Sequence, residues 1–88
     1  MPRSLRLHIP GDRPIVIRGR AGAGALGTWY PKSRRVGLRR GQNGRCLMNT
    51  VIHEMLHVLD GAMSEREVSR RAGVLARALW GLGYRREK

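Results

Sequence analysis

The sequence predicts an α+β domain: a small, three- to four-stranded, mainly antiparallel sheet followed by two helices. Three observations carry the prediction. Leu5, Leu7 and Ile9 alternate with Arg6 and His8, the period of a strand. From Arg45 the apolar residues recur at helical spacing instead. Ser64, with Glu67 three residues later, marks the start of a second helix.

Pro10-Gly11-Asp12 reads as a turn, and Pro14 to Arg18 as a second strand, so the first two strands form a hairpin. Gly19 to Gly27 is rich in Gly and Ala and reads as a flexible loop. Leu26 to Tyr30 is a short strand stopped by Pro31, Lys32-Ser33-Arg34 is a polar turn, and Arg35 to Arg39 is a further strand. Gly41-Gln42-Asn43-Gly44 closes the β part. Met48, Val51, Ile52, Met55, Leu56 and Leu59 then share one helix face, and Gly61 stops that helix. Val68, Ala72, Leu75, Ala76 and Leu79 define the buried face of the second helix, which ends at Gly81 and Gly83 before a basic tail from Tyr84 to Lys88. The expected layout is one domain over 1–88, with a β-rich part at 1–44 and helices at 45–60 and 64–82.

A chain of 88 residues supports only a small core, and a bound metal would help hold it together. Only four residues are aromatic and none is Phe, so that core rests on Leu, Val, Ile, Met and Ala. The net charge is +12, and Arg supplies sixteen of the eighteen basic residues. Such a charge attracts nucleic acid or an acidic partner, although the arginines are spread along the chain rather than clustered. Cys46 is the only cysteine, which excludes an intrachain disulfide and points to a reducing compartment. No run approaches the roughly 20 apolar residues of a membrane span, and the N-terminal stretch lacks the apolar core of a secretion signal. The expectation is a cytoplasmic protein.

Gly22-Ala-Gly24-Ala-Leu-Gly27 matches G-x-G-x-x-G. A dinucleotide fold needs a helix opening on those glycines and an acidic residue about 20 positions later. Thr28-Trp29-Tyr30-Pro31 follows instead, so the match is set aside.

The chemistry-bearing stretch is Val51 to Gly61, VIHEMLHVLDG, which contains His53-Glu54-x-x-His57. Residues four apart lie on adjacent turns of one helix face, so both imidazoles can converge on one zinc ion. They project opposite the apolar stripe. Glu54 lies about 100° round the helix from His53, within reach of a metal-bound water, and suits a general base. A solvent-facing helix can carry this spacing without function, but only three histidines occur in the chain and two fall here. For the third ligand, Glu65 lies beside the apolar stripe of the second helix and is the first choice. Glu67, which points away and has a capping role, comes second, and Asp60, past the histidine pair, third. Cys46 is about two turns upstream of His53 and reads as a small buried residue. Tyr30 and Tyr84 are candidates to assist at the transition state.

TVIHEMLHVLDGAMSEREV and LARALWGLGYR together resemble small H-E-x-x-H metallopeptidases of the zincin type, including short proteins common in phages and prophages. The preceding LGTWYPKSRRVGL resembles them more loosely. The resemblance implies a zincin-like minimal domain with its sheet packed on the H-E-x-x-H helix. It implies that Arg35, Val36, Gly37 and Leu38 form an edge strand that receives the substrate as an added strand. It also implies a gluzincin-like third ligand, a Glu on the following helix, which agrees with Glu65. Metzincins carry a third His six residues after the second; Met63 stands there.

The expected function is therefore a zinc-dependent metallopeptidase of the endopeptidase kind, with one zinc per chain and a peptide or protein substrate. Its expected setting is the cytoplasm of a bacterial or phage-infected cell. The alternative is a basic nucleic-acid-binding or protein-interaction module with a structural or inactive zinc site. Glu54 favours the enzyme, because a structural site needs no general base and closes with four protein ligands.

Overall fold

A computed structural model describes residues 4–85. The elements are β1 (Leu5–Leu7), β2 (Ile15–Ile17), β3 (Gly27–Tyr30), β4 (Arg35–Leu38), α1 (Gly44–Leu59) and α2 (Glu65–Gly81). The chain divides between Arg40 and Gly41 into a strand unit and a helical unit. No described helix is long and apolar enough to cross a membrane.

The four strands form one mixed sheet in the order β1-β2-β4-β3. β1 and β2 are an antiparallel hairpin in which Leu5 faces Ile17 and Leu7 faces Ile15. Its turn is closed by the Asp12 amide donating to the Ile9 carbonyl at 3.0 Å, with Gly11 at φ 80°. β3 and β4 are a second antiparallel hairpin, and β4 lies parallel to β2. This register puts Leu5, Leu7, Ile15, Ile17, Trp29 and Val36 on one face. Ile15 and Val36 are fully buried there. The other face carries Arg6, Val16, Thr28, Tyr30, Arg35 and Gly37.

The assignment of Arg35, Val36, Gly37 and Leu38 to a substrate-receiving edge is corrected by this order. β4 is flanked by β3 on one side and β2 on the other. The Arg18 amide donates to the Val36 carbonyl at 2.9 Å, and the Leu38 amide to the Gly19 carbonyl at 3.0 Å. With both rows of backbone groups engaged, β4 has none left for an incoming strand. The sheet ends at β1 and β3.

The Gly19 to Gly27 segment adopts a defined turn rather than an irregular loop. The Ala25 amide donates to the Gly22 carbonyl at 3.0 Å, Gly24 has φ 78°, and Thr28 Oγ1 accepts from the Gly22 amide at 2.8 Å. A positive φ at the third turn position is the geometry that selects Gly. No helix opens on these glycines; β3 follows.

In the helical unit, Asn43 caps α1, its side chain accepting from the Cys46 amide. α1 ends at Asp60, which organises the turn to α2 by accepting from the Ala62 amide through Oδ1 and from the Met63 amide through its carbonyl. The stop therefore rests on Asp60 rather than on a left-handed Gly61. Ser64 caps α2 by accepting from the Glu67 amide at 3.1 Å. The C-terminus of α2 carries paired bonds from the Gly83 amide to Trp80 and from the Tyr84 amide to Leu79, with Gly83 at φ 94°. That pattern is a Schellman motif. The expected basic tail lies partly outside the described residues.

α1 and α2 pack side by side as an antiparallel hairpin. His53 and His57 near the end of α1 meet Glu65 at the start of α2, while Gly44 at the start of α1 lies against Trp80 at the end of α2. The residues that α2 buries are Val68, Ala72 and Ala76, a narrow line of small side chains at i, i+4 and i+8. Leu75, expected in that line, is 46% exposed. On α1 the deepest residues are Thr50 and Glu54, not the apolar stripe, of which Leu59 is 63% exposed. The side of α1 with the histidines is the side turned toward α2, so its polar residues are the ones removed from water. Thr50 is satisfied by donating to Gln42 Oε1 at 2.6 Å or to the Cys46 carbonyl at 3.0 Å.

Glu67 turns its carboxylate forward to Arg70 and Arg71 rather than back to Ser64, so only half of the expected capping box forms. Hydrogen bonds first from Arg70 and then from Arg71 hold its carboxyl well below the usual range, at about 2. A folded-state pKa below the unfolded value means stabilisation that is complete above about pH 4.5 and lost as the pH falls toward 2. Glu67→Gln is therefore expected to lower the melting temperature at pH 7 and to leave it unchanged at pH 2. Thermal denaturation of both proteins at the two pH values checks this.

Candidate metal centre

The group is assembled by two adjacent helix termini. His53 and His57 lie one turn apart on α1, and their rings sit edge to face with centroids 5.0 Å apart. The Asp60 turn reverses the chain, and Glu65 opens α2 directly after the Ser64 cap. His53 Nε2 lies 2.5 Å from Glu65 Oε1, and His57 Nε2 lies 3.3 Å from both carboxylate oxygens. One donor atom from each residue falls within a 4.8 Å span. The histidine side chains are half-buried and Glu65 is 65% exposed, so the group opens to solvent on one side.

Burial works against ionisation of Glu65, but the hydrogen bonds from His53 and His57 and their positive charge outweigh it. The net effect is a carboxyl held below its ordinary pKa. An anionic oxygen beside two imidazole nitrogens is the donor set that a divalent transition metal prefers.

The distances test the fit. Metal–ligand bonds of about 2.0–2.1 Å in a tetrahedron place neighbouring donor atoms about 3.3 Å apart. The His57–Glu65 separation already has that value. The His53–Glu65 pair, held together by a hydrogen bond, would open by less than about 1 Å to admit an ion. His53, His57 and Glu65 could therefore hold a metal ion.

The other site candidates fall elsewhere. Glu67 is taken by Arg70 and Arg71, and Asp60 by the turn it caps. Neither joins the group. Cys46 is half-buried, with Sγ 3.4 Å from Gln42 Oε1. Glu54 is only 7% exposed, deeper than a simple cleft-facing position suggests. Tyr84 follows the far end of α2, about 24 Å along the helix axis from Glu65, which removes it as a transition-state group. Tyr30 lies in the strand unit, its ring 4.2 Å from the Arg35 guanidinium and its hydroxyl donating to the Arg20 carbonyl at 3.5 Å. The polar cluster of Gln42, Cys46 and Thr50 has no counterpart among the expected site residues. Its signal in the sequence is that Cys46, Thr50 and Glu54 recur every four residues on the histidine side of α1.

No family model, no curated protein and no solved structure matches the chain.

Proposed function

We propose that the chain is a zinc-dependent peptidase of minimal zincin-like, gluzincin-like design, with His53, His57 and Glu65 holding the ion and Glu54 serving as general base. The observation that carries this reading is the convergence of the two imidazoles of the H-E-x-x-H pattern with one carboxylate of the following helix. Three protein donors open to solvent on one side suit a catalytic site better than a closed structural one.

A zinc ion held there supplies Lewis acidity, polarising the scissile carbonyl and making water more acidic. His53, His57 and Glu65 would hold the ion, and the Glu65 carboxylate would add a negative charge that lowers the net charge of the site. Glu54, on the same turns of α1, takes a proton from the attacking water as the new C–O bond forms. It then delivers that proton to the leaving nitrogen as the C–N bond breaks. Glu54 is only 7% exposed, which shields it from bulk water.

Glu54→Gln keeps the shape of the side chain and removes the base. Zinc content is expected to stay unchanged while cleavage of a mixed peptide library, read by mass spectrometry, falls by roughly 10²–10⁴-fold. A zinc-loaded wild-type protein that cleaves no peptide would favour the structural-zinc alternative and end the peptidase reading.

A further inference from the structure

We propose that the outer face of α2 is a docking surface for an anionic lipid bilayer. α2 carries two apolar strips. One is the buried line of Val68, Ala72 and Ala76. The other is Val74, Leu75, Ala78 and Leu82, which fall within about 100° of the helix circumference. Leu82 keeps a helical backbone at φ −80° and ψ −3°, so it carries the second strip past the last turn. All four residues are exposed, Leu82 by 77%, and Tyr84 follows at 61%. Among the described residues seven large apolar side chains are exposed, and Val74, Leu75, Leu82 and Tyr84 are four of them. Scattered exposed apolar residues are ordinary, whereas a contiguous set marks a contact surface.

The polar composition of the same face selects the occupant. From Arg70 to Leu82 every exposed side chain is either apolar or an arginine. A protein partner is read by directed hydrogen bonds, roughly one for every 100–200 Å² of interface. This stretch exposes no acid and no neutral side-chain donor or acceptor for them. A bilayer asks only for apolar area that enters the acyl boundary and for cations that meet the headgroups. Arginine meets both demands, laying its stem along apolar surface while the guanidinium stays in water. The ring and hydroxyl of Tyr84 suit the level of the headgroups.

Part of the positive charge is already met within the helix. Glu67 pairs with both Arg70 and Arg71, so one of their two charges is offset. Arg85 lies over the Trp80 ring and donates to the Trp80 and Tyr84 carbonyls. Arg77 makes no ion pair among the described residues, and it stands one turn from Val74. No Asp or Glu occurs between Glu67 and Glu87 to repel an anionic headgroup. The net charge of +12 adds long-range attraction. The face shares no residue with the proposed metal group, so either can fail without the other.

The test is co-sedimentation of the whole chain with vesicles of phosphatidylcholine alone and of phosphatidylcholine with phosphatidylglycerol at about 3:1, in about 0.15 M salt. The mixed vesicles are expected to bind at least about 10-fold more tightly than phosphatidylcholine alone. Leu75→Ser with Leu82→Ser keeps the net charge and should weaken that binding at least about 10-fold. Both leucines are exposed, so this variant should melt within a few degrees of wild type. Leu26→Ser with Leu59→Ser, at exposed apolar positions elsewhere, should change binding by less than about 3-fold. Arg77→Ala should weaken it roughly 5-fold. Equal effects of the two double variants would mean adsorption by charge alone and overturn the proposal. Equal binding to the two vesicle types would overturn the anionic assignment. Self-association without vesicle binding, abolished by Leu75→Ser with Leu82→Ser, would give the face to a second copy of the chain instead.

Discussion

Glu65→Ala is expected to lower zinc affinity by more than about 100-fold, whereas Glu67→Ala and Asp60→Ala leave it within a few-fold of wild type. The lower bound follows from comparison: groups that merely orient metal ligands are worth 10–100-fold, and a direct ligand is worth more. The contrast between the three acids comes from where their carboxylates go. Glu65 lies against both imidazoles, Glu67 is held by two arginines, and Asp60 is folded into its own turn. The effect separates cleanly from ordinary destabilisation. In chelator the half-exposed hydrogen bonds to His53 and His57 contribute less than about 1 kcal/mol, so wild type and Glu65→Ala should melt within a few degrees of each other. With zinc at about 100 times the wild-type dissociation constant, wild type gains about 2.7 kcal/mol and the variant less than about 0.4 kcal/mol. Thermal melts with and without zinc measure this. His57→Ala should behave as Glu65→Ala does.

Gly37→Ala is expected to destabilise the strand unit by about 3 kcal/mol. A Cβ at Gly37 would stand 2.0 Å from the Arg20 carbonyl oxygen and 2.5 Å from its carbon. Both are backbone atoms, so no side-chain rotation relieves the clash. Arg20 cannot simply retreat. Arg35 Nη1 ties the same segment down by donating to the Arg18 carbonyl at 2.7 Å and the Arg20 carbonyl at 3.3 Å. Moving the segment would break these bonds and weaken the Gly19–Leu38 pairing beside them. A loss of this size corresponds to a fall of roughly 12–24 °C in melting temperature. Gly41→Ala, where a Cβ meets nothing within 4 Å but φ is 83°, should cost only about 1 kcal/mol. A Gly37→Ala protein that melts with wild type would contradict the packing of the 18–20 segment over β4.

Much of this arrangement is legible in the residues themselves. The alternation at Leu5 to Ile9 and the β-branched run at Ile15 to Ile17 locate the first hairpin, and local capping by Ser64 locates α2. The meeting of His53, His57 and Glu65 follows from two helical periods and a short turn, all of them local. What escaped was non-local. The parallel pairing of β2 with β4 depends on how two hairpins associate, and no residue within Arg35 to Leu38 announces an interior position except Gly37, whose requirement appears only once Arg20 lies over it. On α1 the apolar stripe is half-buried apart from Leu59, and the deepest residues lie outside it. Its apolar stripe is the obvious core signal, yet the small side chains Ala72 and Ala76 on α2 lie in the line that packs between the helices, and Thr50 and Glu54 become the deepest residues of α1. Asn43 sits in the Gly41–Gly44 stretch that reads as a turn, yet an Asn directly before a helical period is also a cap signal, and it caps α1.

The most direct measurement of the central claim is zinc X-ray absorption on the purified, zinc-loaded chain. The account predicts about one zinc per chain with a shell of light atoms near 2.0–2.1 Å, two of them showing imidazole scattering, and no sulfur. A sulfur scatterer near 2.3 Å, a single imidazole, or zinc that fails to bind stoichiometrically would contradict it.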